Sequence, residues 1–106
     1  MKKKILGFIN QFNTSTGREQ IEECFTSGMC YWFAFLLANR FPGGEIVYAV
    51  VENHFAYKYD KYVYDITGDI TDKYTFVSWF EYLMRDPAHA SRIQRDCVLK
   101  NKRKKN

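Results

Sequence analysis

The sequence predicts an α+β fold, with a buried central helix packed on a small antiparallel sheet of at least three strands and flanking helices. Three observations predict it. Met29 to Arg40 is apolar on nearly every side, as a helix in the middle of a core would be. Glu45 to Thr67 is rich in Val, Ile, Tyr and Phe and is divided by a turn at Asp60-Lys61. Phe76, Val77, Phe80, Leu83 and Met84 recur at helical spacing.

Taken in chain order, Thr16-Gly17-Arg18-Glu19 has the form of a capping box. It predicts a short helix to Phe25 that buries Ile21, Cys24 and Phe25. Ser27 or Gly28 caps the central helix, and Phe41-Pro42-Gly43-Gly44 stops it. Glu45 to Val51 reads as a first strand. Glu52 to Tyr59 continues it past a bulge near Asn53. Asp60-Lys61 is the hairpin turn, although it lacks the usual glycine. Tyr62 to Thr67 is the return strand, ended by Gly68. Thr75 to Arg85 is a helix that Asp86-Pro87 breaks. Ala88 to Asp96 is a further short helix, and Cys97-Val98-Leu99 fits either state. The expected organisation is one domain, with residues 1–13 as an N-terminal segment, 14–99 as the globular core and 100–106 as a basic tail.

Composition narrows the function. In 106 residues, 46% are apolar and 18% aromatic, too many for a disordered chain. Three cysteines are an odd count with no disulfide spacing, which fits a reducing compartment. Met1 to Asn10 begins like a signal peptide, but its apolar stretch stops after Ile9 and no small-residue cleavage site follows. The longest apolar run, Met29 to Ala38, is too short to span a bilayer. The expectation is a soluble cytoplasmic protein with no membrane partner. The net charge of +4 is a property of the ends. Lys2 to Lys4 and the five basic residues of 100–105 hold half of the 16 positive charges, and all 12 acidic residues lie between them. Residues 5–99 therefore carry −4. Basic ends suit solubility, and also offer contacts to a phosphate backbone.

The chemistry-bearing residues are Cys30, His54 and Asp65. Cys30 stands where a small cap hands over to the apolar helix. A two-residue loop at Asp60-Lys61 pairs Tyr59 with Tyr62 and sets His54 diagonal to Asp65. Strand alternation then puts His54, Ala56, Lys58, Val63, Asp65 and Thr67 on one face. Phe55, Tyr57, Tyr59, Tyr62, Tyr64 and Ile66 share the other, expected to pack on the Thr75–Arg85 helix. A one-residue slip would separate His54 from Asp65. A helix N-terminus and an imidazolium both favour a thiolate, and a carboxylate fixes the imidazole tautomer. These are the parts of a cysteine nucleophile.

The ordered set Gly28-x-Cys30-x-x-Phe33-Ala34-x-x-Leu37, then His54 in a strand, then Tyr64-Asp65-x-x-Gly68 resembles the papain-like cysteine peptidase superfamily, in particular its small phage and bacterial members. The resemblance covers roughly residues 16 to 70. It implies a papain-like fold with Cys30, His54 and Asp65 in the catalytic triad positions, hydrolysing an amide or isopeptide bond without a cofactor. The chain departs from that pattern at one point. Papain-like enzymes usually carry a Gln shortly before the nucleophile to donate to the oxyanion. Here the position six before Cys30 is Cys24, and the nearest Gln is Gln20. The backbone N–H of Cys30 is left to carry the oxyanion.

Each residue also has a plain structural reading. Cys30 is a core thiol, His54 a half-buried strand histidine, and Asp65 a cap for the turn toward Gly68. Cys24 and Cys97 are structural, and His89 is exposed. A zinc site built from Cys24, Cys30, Cys97, His54 and His89 matches no standard finger spacing, so no metal is expected. Two further functions compete with hydrolysis. One is a papain-like scaffold without turnover that binds a protein partner, as phage inhibitors of host defence such as anti-CRISPR proteins do. The other is a nucleic-acid-associated protein that uses its basic ends and its tyrosine face.

Overall fold

A computed structural model describes residues 1–16 and 30–95. Helix α1 spans Lys2–Thr16 and helix α2 spans Cys30–Arg40. Strands β1 (Glu45–Ala49), β2 (His54–Tyr59), β3 (Tyr62–Asp65) and β4 (Gly68–Asp69) follow. Then come β5 (Val77–Ser78), helix α3 (Trp79–Arg85) and helix α4 (Pro87–Gln94). The strands form one antiparallel sheet in the order β4-β3-β2-β1-β5. The molecule is thus α+β, with four helices and five strands among the described residues.

The β2–β3 register follows from its turn. Tyr59 pairs with Tyr62, Lys58 with Val63 and Tyr57 with Tyr64. Asp60 supplies the positive φ, 60°, that a two-residue hairpin needs at its first turn position, so the missing glycine is replaced rather than required. The alternation therefore holds. Phe55, Tyr57, Tyr64 and Ile66 lie in one core cluster with Phe33 and Leu37 of α2 and Ile5 and Ile9 of α1. On the opposite face Val47, Ala56, Val63 and Ile70 form a second cluster, covered by Tyr74 and Phe76.

Several expectations need correction. The chain does not continue as strand through Asn53. It reverses at Val50–Asn53 into a second hairpin that pairs Ala49 with His54, with Asn53 at φ 52°. The aromatic face is covered by α2 and α1, whose apolar stripes meet it, while Tyr48 and Phe55 pack on Trp79 of α3. Helix α2 is buried on one side alone: Cys30, Phe33, Ala34 and Leu37 are inside, whereas Trp32, Phe35 and Leu36 are 38–46% exposed. The segment expected as the Thr75–Arg85 helix begins instead with β5, and the helix starts at Trp79 behind the Ser78 cap. Asp86 caps α4 by accepting from the His89 N–H, and His89 is half-buried against Tyr82 rather than exposed. Helix α1 was not expected at all. Thr16, expected as the cap of the next helix, is the last described residue of α1. The helix expected from there to Phe25, the Ser27 or Gly28 cap, and the Cys97-Val98-Leu99 segment all lie outside the described residues.

One buried hydroxyl joins the end of α2 to the sheet. Tyr57 is fully buried; its hydroxyl donates to the Phe41 carbonyl and accepts from the Gly44 N–H at 2.9 Å. A Cβ at Gly44 would overlap the Lys58 carbonyl oxygen and the Tyr57 ring, so the backbone passes where only glycine fits. Tyr57→Phe is expected to cost roughly 1–3 kcal/mol by orphaning both backbone groups, and Gly44→Ala about as much through overlap. Phe33→Ala, from a core position, should cost roughly 3–5 kcal/mol. Urea unfolding of the three variants measures these losses.

Candidate functional site

The three residues singled out by sequence sit at element ends. Cys30 opens α2, His54 opens β2 and Asp65 closes β3. Because β2 and β3 are antiparallel, the start of one lies beside the end of the other. The register set by Asp60-Lys61 makes His54 and Asp65 diagonal neighbours. His54 Nε2 and Asp65 Oδ2 are 2.8 Å apart. Asp65 is also held from behind: its Oδ1 accepts from the Thr67 N–H at 2.8 Å and the Thr67 hydroxyl at 2.5 Å. The turn-capping reading of Asp65 is therefore correct as well, and both of its oxygens are occupied.

The His54 side chain also hydrogen-bonds Cys30. Cys30, His54 and Asp65 are 8%, 7% and 3% exposed, and they share with Phe33, Ala34, Phe55, Ala56 and Ile66 a cavity of about 10 Å³. That volume suits one water. Tyr74 presents its ring edge-on to the imidazole, with centroids 5.8 Å apart, and helps to close the opposite side.

Burial is the largest single influence on His54 and opposes its charged form. The hydrogen-bonding and coulombic influence of Asp65 and Cys30 together outweigh it and raise the pKa to about 9. In its protonated form His54 is an imidazolium placed between a sulfur and a carboxylate. That arrangement can pair with a thiolate and deliver a proton to a leaving group.

Of the residues considered for a metal, Cys24 and Cys97 lie outside the described residues, and His89 is bonded to the Tyr82 hydroxyl at 2.5 Å, away from Cys30 and His54. Among the described residues no cluster of His, Cys, Asp and Glu is arranged to hold a metal ion. No helix among them is long and apolar enough to cross a membrane. Sequence reasoning missed Thr67 and Tyr74. Thr67 had a local signal, the Asp-x-Thr spacing in which a threonine bonds back to a carboxylate. Tyr74 had none, since its place over His54 depends on how the loop after Ile70 folds back.

The raised His54 pKa makes stability fall with pH. The ring holds its proton in the folded chain up to about pH 9 but loses it near 6.5 when unfolded. Its contribution is fully present below about pH 6.5 and is lost as pH rises through about 9. Between these limits the wild type should lose roughly 1–3 kcal/mol relative to His54→Gln. Unfolding midpoints of both proteins across that range check it.

Residues 7–102 match the model of the family described as phage YunG-like protein. No curated protein and no solved structure matches the chain. The match spans nearly all of the sequence, and the chain belongs to the phage YunG-like protein family.

Proposed function

We propose that this phage-family protein is a small papain-like cysteine hydrolase that cleaves an amide or isopeptide bond. The reading rests on one observation: a buried imidazole bonded to a carboxylate on one side and to the thiol of a helix-initial cysteine on the other. In this mechanism the Cys30 thiolate attacks the carbonyl carbon and the carbonyl π pair moves to oxygen. As the tetrahedral intermediate collapses, protonated His54 gives its proton to the departing amine. His54, now neutral, takes a proton from water, which attacks the thioester; the acid leaves and the thiolate–imidazolium pair is restored. Asp65, fixed by Thr67, keeps the ring oriented and stabilises its charge throughout.

A second reading has support of its own. The cavity beside Cys30 has room for about one water, and the outer face of α2 exposes Trp32, Phe35 and Leu36. A closed site and an apolar surface favour a scaffold that binds a protein partner without turnover, as a phage inhibitor of host defence of the anti-CRISPR kind would.

Limited iodoacetamide labelling, mapped by mass spectrometry, separates the two. A nucleophile paired with His54 should be alkylated at Cys30 before Cys24 or Cys97, at pH 6.5 as well as at pH 8. His54→Ala should slow labelling of Cys30 at pH 6.5 by about tenfold or more. Equal labelling of wild type and His54→Ala, with biological activity retained in Cys30→Ser, would favour the scaffold.

A further inference from the structure

Helix α1 goes against two helix preferences on one face. Its first turn carries Lys2, Lys3 and Lys4 and no acidic residue, so three positive charges meet the positive end of the helix dipole. Lys2 is compensated: it pairs with Asp69 at 3.0 Å and lies over the Tyr62 ring. Lys4 is exposed and has no ion-pair partner among the described residues. Three positions on, Gly7 stands in the helix interior, where only proline is a weaker helix former. A Cβ there would meet no atom within 4 Å, so packing does not call for glycine.

Lys4 and Gly7 line one open groove of about 700 Å³ between α1 and the end of α2. Lys4, Phe8 and Gln11, at helical spacing, form one wall, and Arg40 and Phe41 form the other. The Arg40 guanidinium lies 5.0 Å from the centre of the Phe41 ring and 5.9 Å from that of Phe8, and the two rings meet edge to face. Arg40 is also exposed and without an ion-pair partner among the described residues. It suits the negative end of the α2 dipole, whereas Lys4 has no such reason for its place. The described lining holds two cations and no carboxylate. A second groove, beside β4, sets Lys2 and Lys73 against Asp69 and Asp72 and is neutral within itself. Local preferences set aside together, at an open groove that nothing neutralises, point to a ligand rather than to the fold.

We infer that this groove binds single-stranded nucleic acid, with backbone phosphates on Lys4 and Arg40 and the strand passing over Gly7, where a side chain would stand in its way. A planar guanidinium backed by aromatic rings suits both a phosphate and the face of a base. The Gln11 amide offers a donor and an acceptor to base edges. The groove shares no lining residue with the cavity beside Cys30, and the assignment is independent of the hydrolase reading.

Fluorescence anisotropy of the full chain with labelled oligo(dT) and oligo(rU) of about twelve nucleotides tests it. Wild type should bind at least one of them, with log affinity falling linearly against log salt. Lys4→Gln and Arg40→Gln should each weaken binding by about threefold to tenfold and flatten the salt slope by roughly 0.7. Lys3→Gln removes the same charge from a residue that does not line the groove, and should change affinity by less than about twofold. Gly7→Leu should weaken binding while raising the thermal midpoint, a pairing that a merely structural glycine would not show. Binding of neither oligonucleotide overturns the assignment, and so does unchanged binding in Gly7→Leu. An equal loss in Lys3→Gln and Lys4→Gln overturns it too, by moving the contact to general charge at the basic ends. Displacement of the oligonucleotide by an equal concentration of polyglutamate of the same length overturns it in favour of an acidic protein partner.

Discussion

A histidine and an aspartate almost shut off from water are costly unless each satisfies the other, and the contact between His54 Nε2 and Asp65 Oδ2 at 2.8 Å is what makes this part of the fold affordable. Everything around the pair serves it. The Asp60-Lys61 turn sets the register that brings the two strand ends together. Thr67 fills the second carboxylate oxygen. Tyr74 covers the ring from one side, and the first turn of α2 brings Cys30 to the imidazole. Slipping β2 by one residue would turn His54 to the other face of the sheet and leave Asp65 buried without its partner.

The rest of the core holds those strand ends still. Phe55, Tyr57 and Tyr64 anchor β2 and β3 against α2, and the Tyr57 hydroxyl ties down the turn that leaves α2. The helix carrying the thiol and the strand carrying the imidazole are thus joined at both ends, by the site at one and by Tyr57 at the other. Such rigidity serves a catalyst, which needs its groups held to within a fraction of an ångström. It serves a binding scaffold equally well, because neither the small cavity nor the apolar outer face of α2 belongs to one use alone.

Much of this geometry was legible in the sequence where the signal was local. The Asp60-Lys61 turn and the strict alternation on both sides of it fixed which residues share a face, and so set His54 diagonal to Asp65. The stop at Phe41-Pro42-Gly43-Gly44 bounded the end of α2. Long-range signals were harder to read. The reversal at Val50–Asn53 was hidden because Val50 and Val51 look like strand, and the turn depends on Asn53 taking a left-handed conformation. Helix α1 was missed although Ile5, Ile9 and Phe12 already mark a helical stripe, because three lysines draw attention to charge instead. All-round apolarity overstated the burial of α2: composition cannot tell an inner helix from one with an apolar outer face.

The account stands on the protonation state of one ring. Titration of ¹⁵N-histidine-labelled protein by NMR reads both nitrogens of His54 directly. An imidazole shared between the Asp65 carboxylate and the Cys30 sulfur should be protonated on both nitrogens at pH 7.5, with a midpoint near 9. Cys30→Ser should lower that midpoint, because Cys30 is among the groups that raise it. A ring already neutral at pH 7.5, with a midpoint at or below the ordinary histidine value and no response to Cys30→Ser, would contradict the account.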